Sequence, residues 1–468
     1  MQWSNCSVNG TVPGTTWMSC ATISVPVDWV EPEGEQITLG LNRLPATDPQ
    51  ACLGSLIFNP GGPGGLATAN LAQQAKHNLL WSPELRRHYN IIGLDPRGIG
   101  SSTPIKCDPS IWNERISLLP SSNAEFEALV NHNKRLGDSC RSLSGPIFEH
   151  VDTTSVARDL EAVRLALGGD KLNMIGFSYG TQIAAAYAEL FPENVGRLVL
   201  DGNVDHFQTE TSAMVTEAET YETEFVRFAD WCASTTDCPL YGKDILQMFD
   251  QMMKNCTESP LSAPGCDDVQ CRLYVTSEEL RINLQTWLVY KTLPRPAAAT
   301  WATLGFALAQ AFEGNATLFS NGLATSQHDM FWQGLAVGCL DWFHASTSAS
   351  DLLYKQQLAD SIAPHTQGAT QSYMYQAQCL GWPAPVQNPP HFANVRDTPP
   401  ILMVNSLYDP EASYVWAEGL RAQIENSVLV ARVGDGHTSY VLAGESQRIM
   451  DAFLINGTVP EKNTVVYS

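Results

Sequence analysis

The sequence predicts an α/β fold: a mostly parallel sheet, covered by helices on both faces, with a large and mainly helical cap inserted before its last strands. Three observations lead there. Short apolar runs bounded by Gly, Pro or Asp occur at 54–58, 89–94, 171–175 and 196–201 and alternate with helix-like stretches, as a doubly covered parallel sheet requires. From about 206 to 396 the strand signals stop and helix-like segments follow one another. Strand-like sequence then resumes at 400–405, as though one sheet continued. The expected organisation is a first core part over 1–205, a cap over 206–396 and a second core part over 397–468.

The composition narrows the class. Of 468 residues, 44% are hydrophobic and 16% charged, which is the make-up of a globular chain. A formal net charge of −22 repels phosphate backbones and anionic lipid, so nucleic acid and membrane surfaces are not expected partners. No apolar run approaches the roughly 20 residues of a membrane span. The chain carries 12 cysteines without paired Cys-x-x-Cys spacing, so they are expected in disulfides and not in a zinc site. No metal or other cofactor is called for. Five glycosylation triplets begin at Asn5, Asn9, Asn255, Asn315 and Asn456. Together these features predict a secreted, glycosylated eukaryotic protein. The N-terminus has no charged and then apolar leader, so a signal peptide is expected to have been removed.

Residues 1–50 contain two candidate strands, 22–27 and 37–44, punctuated by Pro26, Pro32 and Pro45, with Cys6 and Cys20 tying the segment down. The strand at 54–58 runs into Asn59-Pro60-Gly61-Gly62-Pro63-Gly64-Gly65, whose bare backbone can turn N–H groups toward a ligand, as an oxyanion hole needs. The strand at 89–94 ends in Asp95-Pro96-Arg97-Gly98, read as a turn stabilised by Asp95 and Arg97. Asp152 is a candidate N-cap, and Val156, Leu160, Val163 and Leu167 recur at helical spacing until Gly168-Gly169.

Next comes Gly176-Phe177-Ser178-Tyr179-Gly180, between a strand-like run and an Ala-rich run without a breaker. That context makes it a nucleophile elbow, in which two glycines permit a turn tight enough to lift the Ser178 hydroxyl above the sheet. In the cap, helices are predicted at 216–231, 277–290 and 297–312, and Cys256, Cys266 and Cys271 crowd together. The strand at 400–405 leads to Asp409, a helix follows at 413–423, a strand at 428–433, and then Gly434-Asp435-Gly436-His437.

The order Ser, Asp, His is that of an α/β-hydrolase triad. In it His437 takes the proton from Ser178, and Asp409 fixes the imidazole tautomer and stabilises the imidazolium. Asp201 and Asp205 are the fallback acids, while Asp435 is too close to His437 in sequence to reach its ring well.

The loop Asn59 to Gly65, the turn at Asp95, the Ser178 elbow with Thr181, Leu200-Asp201-Gly202 and the Asp409 and His437 loops together resemble the secreted tripeptidyl aminopeptidases, relatives of proline iminopeptidases within the α/β-hydrolase superfamily. Cap landmarks at Cys339-Leu340-Asp341-Trp342 and Cys379-Leu380-Gly381-Trp382-Pro383 extend the resemblance over nearly the whole chain, and the ending Leu454 to Pro460 also fits. The resemblance implies oxyanion-hole amides at Gly62 and Tyr179 and a cap that binds the N-terminal part of the substrate. Two departures stand out: no cysteine follows Cys379, and Ser406 replaces a glycine usual before the catalytic aspartate.

The expected activity is therefore that of a secreted serine exopeptidase releasing short, tripeptidyl-type peptides from free N-termini through an acyl-enzyme. Such an enzyme needs a carboxylate for the substrate ammonium, and Asp341 is the candidate. An esterase or lactonase acting on a small molecule is the second reading, since the same triad cleaves esters. A catalytically silent binding protein is the third, and the complete triad argues against it. The cysteines permit pairs Cys6–Cys20, Cys107–Cys140, Cys232–Cys238 and Cys339–Cys379, with Cys52, Cys256, Cys266 and Cys271 left unassigned.

Overall fold

The computed structural model describes residues 1–6, 18–77, 80–293 and 300–467, so the Asn9 triplet and the start of the helix predicted from 297 lie outside the described residues. The strands in chain order are β1 Ser4–Asn5, β2 Ser19–Pro26, β3 Gln36–Leu44, β4 Ser55–Asn59, β5 Asn90–Leu94, β6 Leu172–Phe177, β7 Val195–Asp201, β8 Leu261–Ser262, β9 Tyr274–Val275, β10 Ile401–Tyr408, β11 Ser427–Asp435 and β12 Val465–Tyr467. Ten of them form one sheet in the order β1-β2-β3-β5-β4-β6-β7-β10-β11-β12. Every pairing from β5 to β12 is parallel, and only β1, β2 and β3 join antiparallel.

The apolar runs are continuous because both faces of the central strands are covered. Ile57, Met174, Leu198 and Met403 pack on one face, against Val156, Leu160 and Val163 of the helix Thr153–Ala166. Their neighbours Leu56, Ile175, Val199 and Leu402 pack on the other, against Met450, Phe453 and Leu454 of the helix Gly444–Asn456. Each such side chain contributes about 1.5–3 kcal/mol by leaving water. Asp152 caps the first of these helices, its carboxylate accepting from the Ser155 amide at 2.9 Å.

Chain reversal at β4 matters for function. β5 lies on one side of β4 and β6 on the other, so the loops after β4 and β6 diverge and leave a crevice at the carboxyl ends of the strands.

Between β7 and β10 the described residues form seven α-helices, Glu210–Ser234, Ile245–Glu258, Ser277–Leu288, Trp301–Phe312, Met330–Asp341, Ala349–Ile362 and Gln371–Gln378, with β8 and β9 as a two-residue antiparallel ladder. They have their own core around Phe225, Phe228, Phe249, Leu284 and Trp301. A 22-residue helix, Asn123–Ser144, arises earlier in the chain and was not expected from the sequence. Its Phe126 and Leu129 share a core with Met214, Leu352 and Tyr373 of the inserted helices. The layer over the sheet is therefore built from two stretches of chain.

One local expectation is corrected. The 12 cysteines are not all in disulfides: the four expected pairs form, Cys266 pairs with Cys271, and Cys52 and Cys256 are free thiols. Cys256 is buried on its helix with its Sγ 3.4 Å from the Val275 carbonyl, and Cys52 accepts from Asn90 Nδ2, so neither faces a second sulfur. Asp95 and Arg97 hold the turn after β5, each through partners of its own. Asp95 accepts from Thr68 and Ser101, while the buried Arg97 guanidinium holds Asp159 with two bonds of 2.7 and 2.6 Å. Ser406, which stands where a glycine was expected, is fully buried and ties β10 to β11 by donating to the Gly434 carbonyl at 2.6 Å.

Candidate active site

Ser178 closes β6 and precedes the helix Tyr179–Leu190 with φ 56° and ψ −126°, a conformation that costs a non-glycine residue about 1–3 kcal/mol. The surroundings enforce it. The Ser178 amide donates to the Asp201 carbonyl at 3.0 Å, and its carbonyl accepts from the Thr181 amide and hydroxyl at 2.8 and 2.7 Å. A Cβ on Gly176 would overlap the Gly180 carbonyl, and one on Gly61, which has φ 91°, would stand 2.7 Å from the Ser178 Cβ. The elbow thus presses directly on the Asn59 to Gly65 loop. Ser178 remains half-buried and lines a cleft together with Gly62, Pro63 and Tyr179. Tyr179 opens its helix, so its amide has no acceptor one turn back.

Asp409 follows β10 and is fully buried. Its Oδ1 accepts from the Glu411 and Ala412 amides at 2.9 and 2.8 Å, which fixes the carboxylate before it meets anything else. His437 Nδ1 lies 2.8 and 2.9 Å from the two carboxylate oxygens, which fixes Nδ1 as the donor nitrogen and makes Nε2 the acceptor whenever the ring is neutral. The histidine loop is held from three sides. Arg432 donates to Ser439 Oγ and to the carbonyls of Asp435 and Gly436, Asp201 accepts from the Ser439 and Tyr440 amides, and the His437 amide donates to Val289 of the cap.

The backbones that carry Ser178 and His437 are tied together at one corner. Asp201 receives the Ser178 amide through its carbonyl and the histidine loop through its carboxylate, and a Cβ on the next residue, Gly202, would stand 2.9 Å from His437 Cε1. His437 Nε2 is buried and makes no hydrogen bond, so it is not engaged with the Ser178 hydroxyl in this state. Catalytic hydrogen bonds often form or tighten only when substrate binds. The nearest charged group is instead Glu411, whose Oε2 lies 3.4 Å from Nε2. Burial works against a charged ring, but the carboxylates of Asp409 and Glu411 outweigh it and push His437 up to about 9.

The alternative acids are committed elsewhere. Asp201 holds the histidine loop, Asp205 accepts from Phe207, Gln208 and Gln423, and Asp435 pairs with Arg227 and Lys291.

Asp341 is corrected. It is fully buried and absent from the cleft wall, because Thr153, Gln182 and Asn388 surround its carboxylate. Burial and the nearby Asp152 push it up to about 7, as befits a structural acid behind the wall. The cleft is lined instead by four other carboxylates, Asp205, Glu210, Glu217 and Glu411, by the aromatic rings of Trp342, Phe343, Tyr375 and Trp416, and by no Lys or Arg among the described residues. Sequence reasoning named Asp205 only as a fallback triad acid and missed Glu210, Glu217 and Glu411, although Glu411 lies only two residues beyond Asp409. Among the described residues no group of three His, Cys, Asp or Glu side chains is placed to hold a metal ion.

Comparison with known proteins adds the following. Residues 54–272 match the family described as alpha/beta hydrolase fold, and residues 364–466 match the one described as TAP-like protein. The chain is 29% identical over 479 residues to serine protease Hip1 of Mycobacterium tuberculosis, covering 98% of this chain and 89% of that protein. It is 27% identical to the tripeptidyl aminopeptidase of Streptomyces lividans, with 98% and 84% covered. It is 30% identical to carboxylesterase B of M. tuberculosis, with 94% and 85% covered.

Proposed function

The chain belongs to the tripeptidyl aminopeptidase-like serine hydrolases of the α/β-hydrolase superfamily, and from that membership we propose that it releases short, tripeptidyl-type peptides from free N-termini, with Ser178, His437 and Asp409 as its catalytic residues. One observation carries the reading. The cleft that holds the candidate nucleophile is lined by the carboxyl groups of Asp205, Glu210, Glu217 and Glu411 and by no Lys or Arg among the described residues. Lys355 already pairs with Glu210 and burial pushes Glu217 up to about 7, and Glu411 remains as a partner for an N-terminal ammonium, which a neutral ester does not need.

The geometry supports the following course. Ser178 Oγ attacks the scissile carbonyl while His437 Nε2 accepts its proton, and Asp409 stabilises the imidazolium through Nδ1. Negative charge developing on the carbonyl oxygen is received by the amides of Gly62 and Tyr179. The imidazolium then protonates the departing amine. Water, deprotonated by the same nitrogen, attacks the acyl-enzyme, frees the short peptide and restores the serine. The segment 206–396 acts as the cap that bounds the cleft and limits how much chain can lie beyond the serine.

The cysteine and sequon chemistry supports export: five disulfides belong to an oxidising compartment, and Asn5, Asn255 and Asn456 are exposed. A second reading, hydrolysis of small esters, draws on the likeness to carboxylesterase B. Peptidyl p-nitroanilides with free and with acetylated N-termini, assayed beside p-nitrophenyl esters, decide between them. The proposal requires strong preference for the free N-terminus. Equal turnover of the two amides, or turnover of esters alone, rejects it.

A further inference from the structure

Glu411 occupies a place that the hydrolytic course above does not use. Its Oε2 stands 3.4 Å from the nitrogen that has to accept the Ser178 proton, and it lines the same cleft as Ser178. Its backbone is locked, since the Glu411 amide donates to Asp409 Oδ1. The side chain is lightly held: Oε1 accepts one bond of 3.1 Å from Gln371 Nε2 on the cap. Glu217, the next acid along the cleft, differs, because its two oxygens accept from the Gln371 and Ser372 amides and serve the start of the helix Gln371–Gln378. Glu411 is thus the carboxylate with bonding capacity left for an incoming cation.

Resting on the proposed aminopeptidase reading, we infer that Glu411 receives the substrate's N-terminal ammonium and, until one arrives, occupies His437 as a latch that keeps the base from Ser178. The occupied base and the waiting carboxylate are one ion pair. An ammonium competes with the imidazolium for Glu411, and its arrival removes one of the charges that hold the ring protonated. A substrate with a blocked N-terminus leaves the pair intact. The groups that act on this pair are Asp409 and Asp201 from the core loops, Glu217 and Tyr221 from the helix Glu210–Ser234, and Tyr290 from the segment that follows Ser277–Leu288. Asp409, Asp201 and Glu217 are carboxylic acids, Tyr221 and Tyr290 are phenols that burial keeps neutral, and Glu411 itself is pushed up by burial and by Asp409, so among these groups only the His437 ring offers Glu411 a positive charge. The distance also sets a limit. With ordinary contact distances from Nε2 to the serine and from the serine to the carbonyl, an ammonium on Glu411 lies within about 13 Å of the scissile carbon, the reach of roughly three or four extended residues.

The test is Glu411→Gln, which keeps the shape, with Glu411→Asp as the conservative partner. Each is assayed from pH 5 to 10 on a tripeptidyl p-nitroanilide, its N-acetyl counterpart and p-nitrophenyl acetate. In Glu411→Gln, kcat/KM for the free peptide should fall on the order of 100-fold, to the level of the acetylated one. Turnover of p-nitrophenyl acetate at pH 7 should rise, its acid limb moving down by about one pH unit. Glu411→Asp should recover part of the preference for the free N-terminus. An equal fall on all three substrates, or an unmoved acid limb, overturns the inference. A wild type indifferent to acetylation would defeat the aminopeptidase reading instead, and the acid limb for the ester would still judge the latch.

Discussion

Asp409→Asn isolates the orienting role of the carboxylate, and the structure fixes how the new amide must sit. Asp409 Oδ1 already accepts from the Glu411 and Ala412 amides, so the amide oxygen of an asparagine is held at that position. Its NH2 group then takes the place of Oδ2, 2.9 Å from His437 Nδ1. That donor competes with the amide oxygen, still 2.8 Å from Nδ1, and admits the imidazole tautomer that carries its proton on Nε2, a ring that cannot accept from Ser178. The charge that stabilises the imidazolium is lost as well. By analogy with other serine hydrolase triads the fall in kcat is about 10⁴, equivalent to ~5.5 kcal/mol of transition-state stabilisation. The assay is kcat on a free tripeptidyl p-nitroanilide, with circular dichroism and Tm confirming the fold. A variant within tenfold of wild type would refute the reasoning and move the role to Asp201 or Asp205, despite their existing bonds.

Further outcomes follow from the same geometry. His437 is pushed up to about 9, so ester turnover should climb as pH rises toward that value, because only the neutral ring accepts a proton. The linked stability has the opposite slope: the charged ring's contribution is complete below its ordinary value near 6.5 and is lost as pH rises through about 9, which thermal melts across that window would record. Gly61→Ala places a methyl group 2.7 Å from the Ser178 Cβ at φ 91°, and kcat should drop on the order of 100-fold with little change in KM. Replacing Cys339 and Cys379 by serine opens a bridge across 40 residues between two cap helices and should cost ~2–4 kcal/mol in denaturant unfolding, while the Ser178 environment persists.

The parts of the molecule legible in the sequence are those fixed by local chemistry. Gly176 to Gly180 reads as an elbow because its glycines answer contacts within the same turn, and β10 and β11 read as strands because both faces of each are covered. The helix Asn123–Ser144 was illegible for the opposite reason. Gly137, a poor helix former, sits in its middle because Pro383 of a distant segment packs where its Cβ would be. Edge strands of two or three residues, β1 and β12, carry too little pattern to be read. At the site, chain order and strand ends were enough to single out Ser178, Asp409 and His437. Asp341 was misplaced because only the fold shows Thr153, Gln182 and Asn388 closing around it. Glu411 was missed because its position depends on Gln371, a residue of the cap.

Labelling with a fluorophosphonate, followed by peptide mass spectrometry, reads out which side chain is the nucleophile. One adduct is expected, on Ser178, and it should disappear in Ser178→Ala and form far more slowly in His437→Ala. An adduct on another serine in protein that still turns over substrate, or an active enzyme that takes no label, would contradict it.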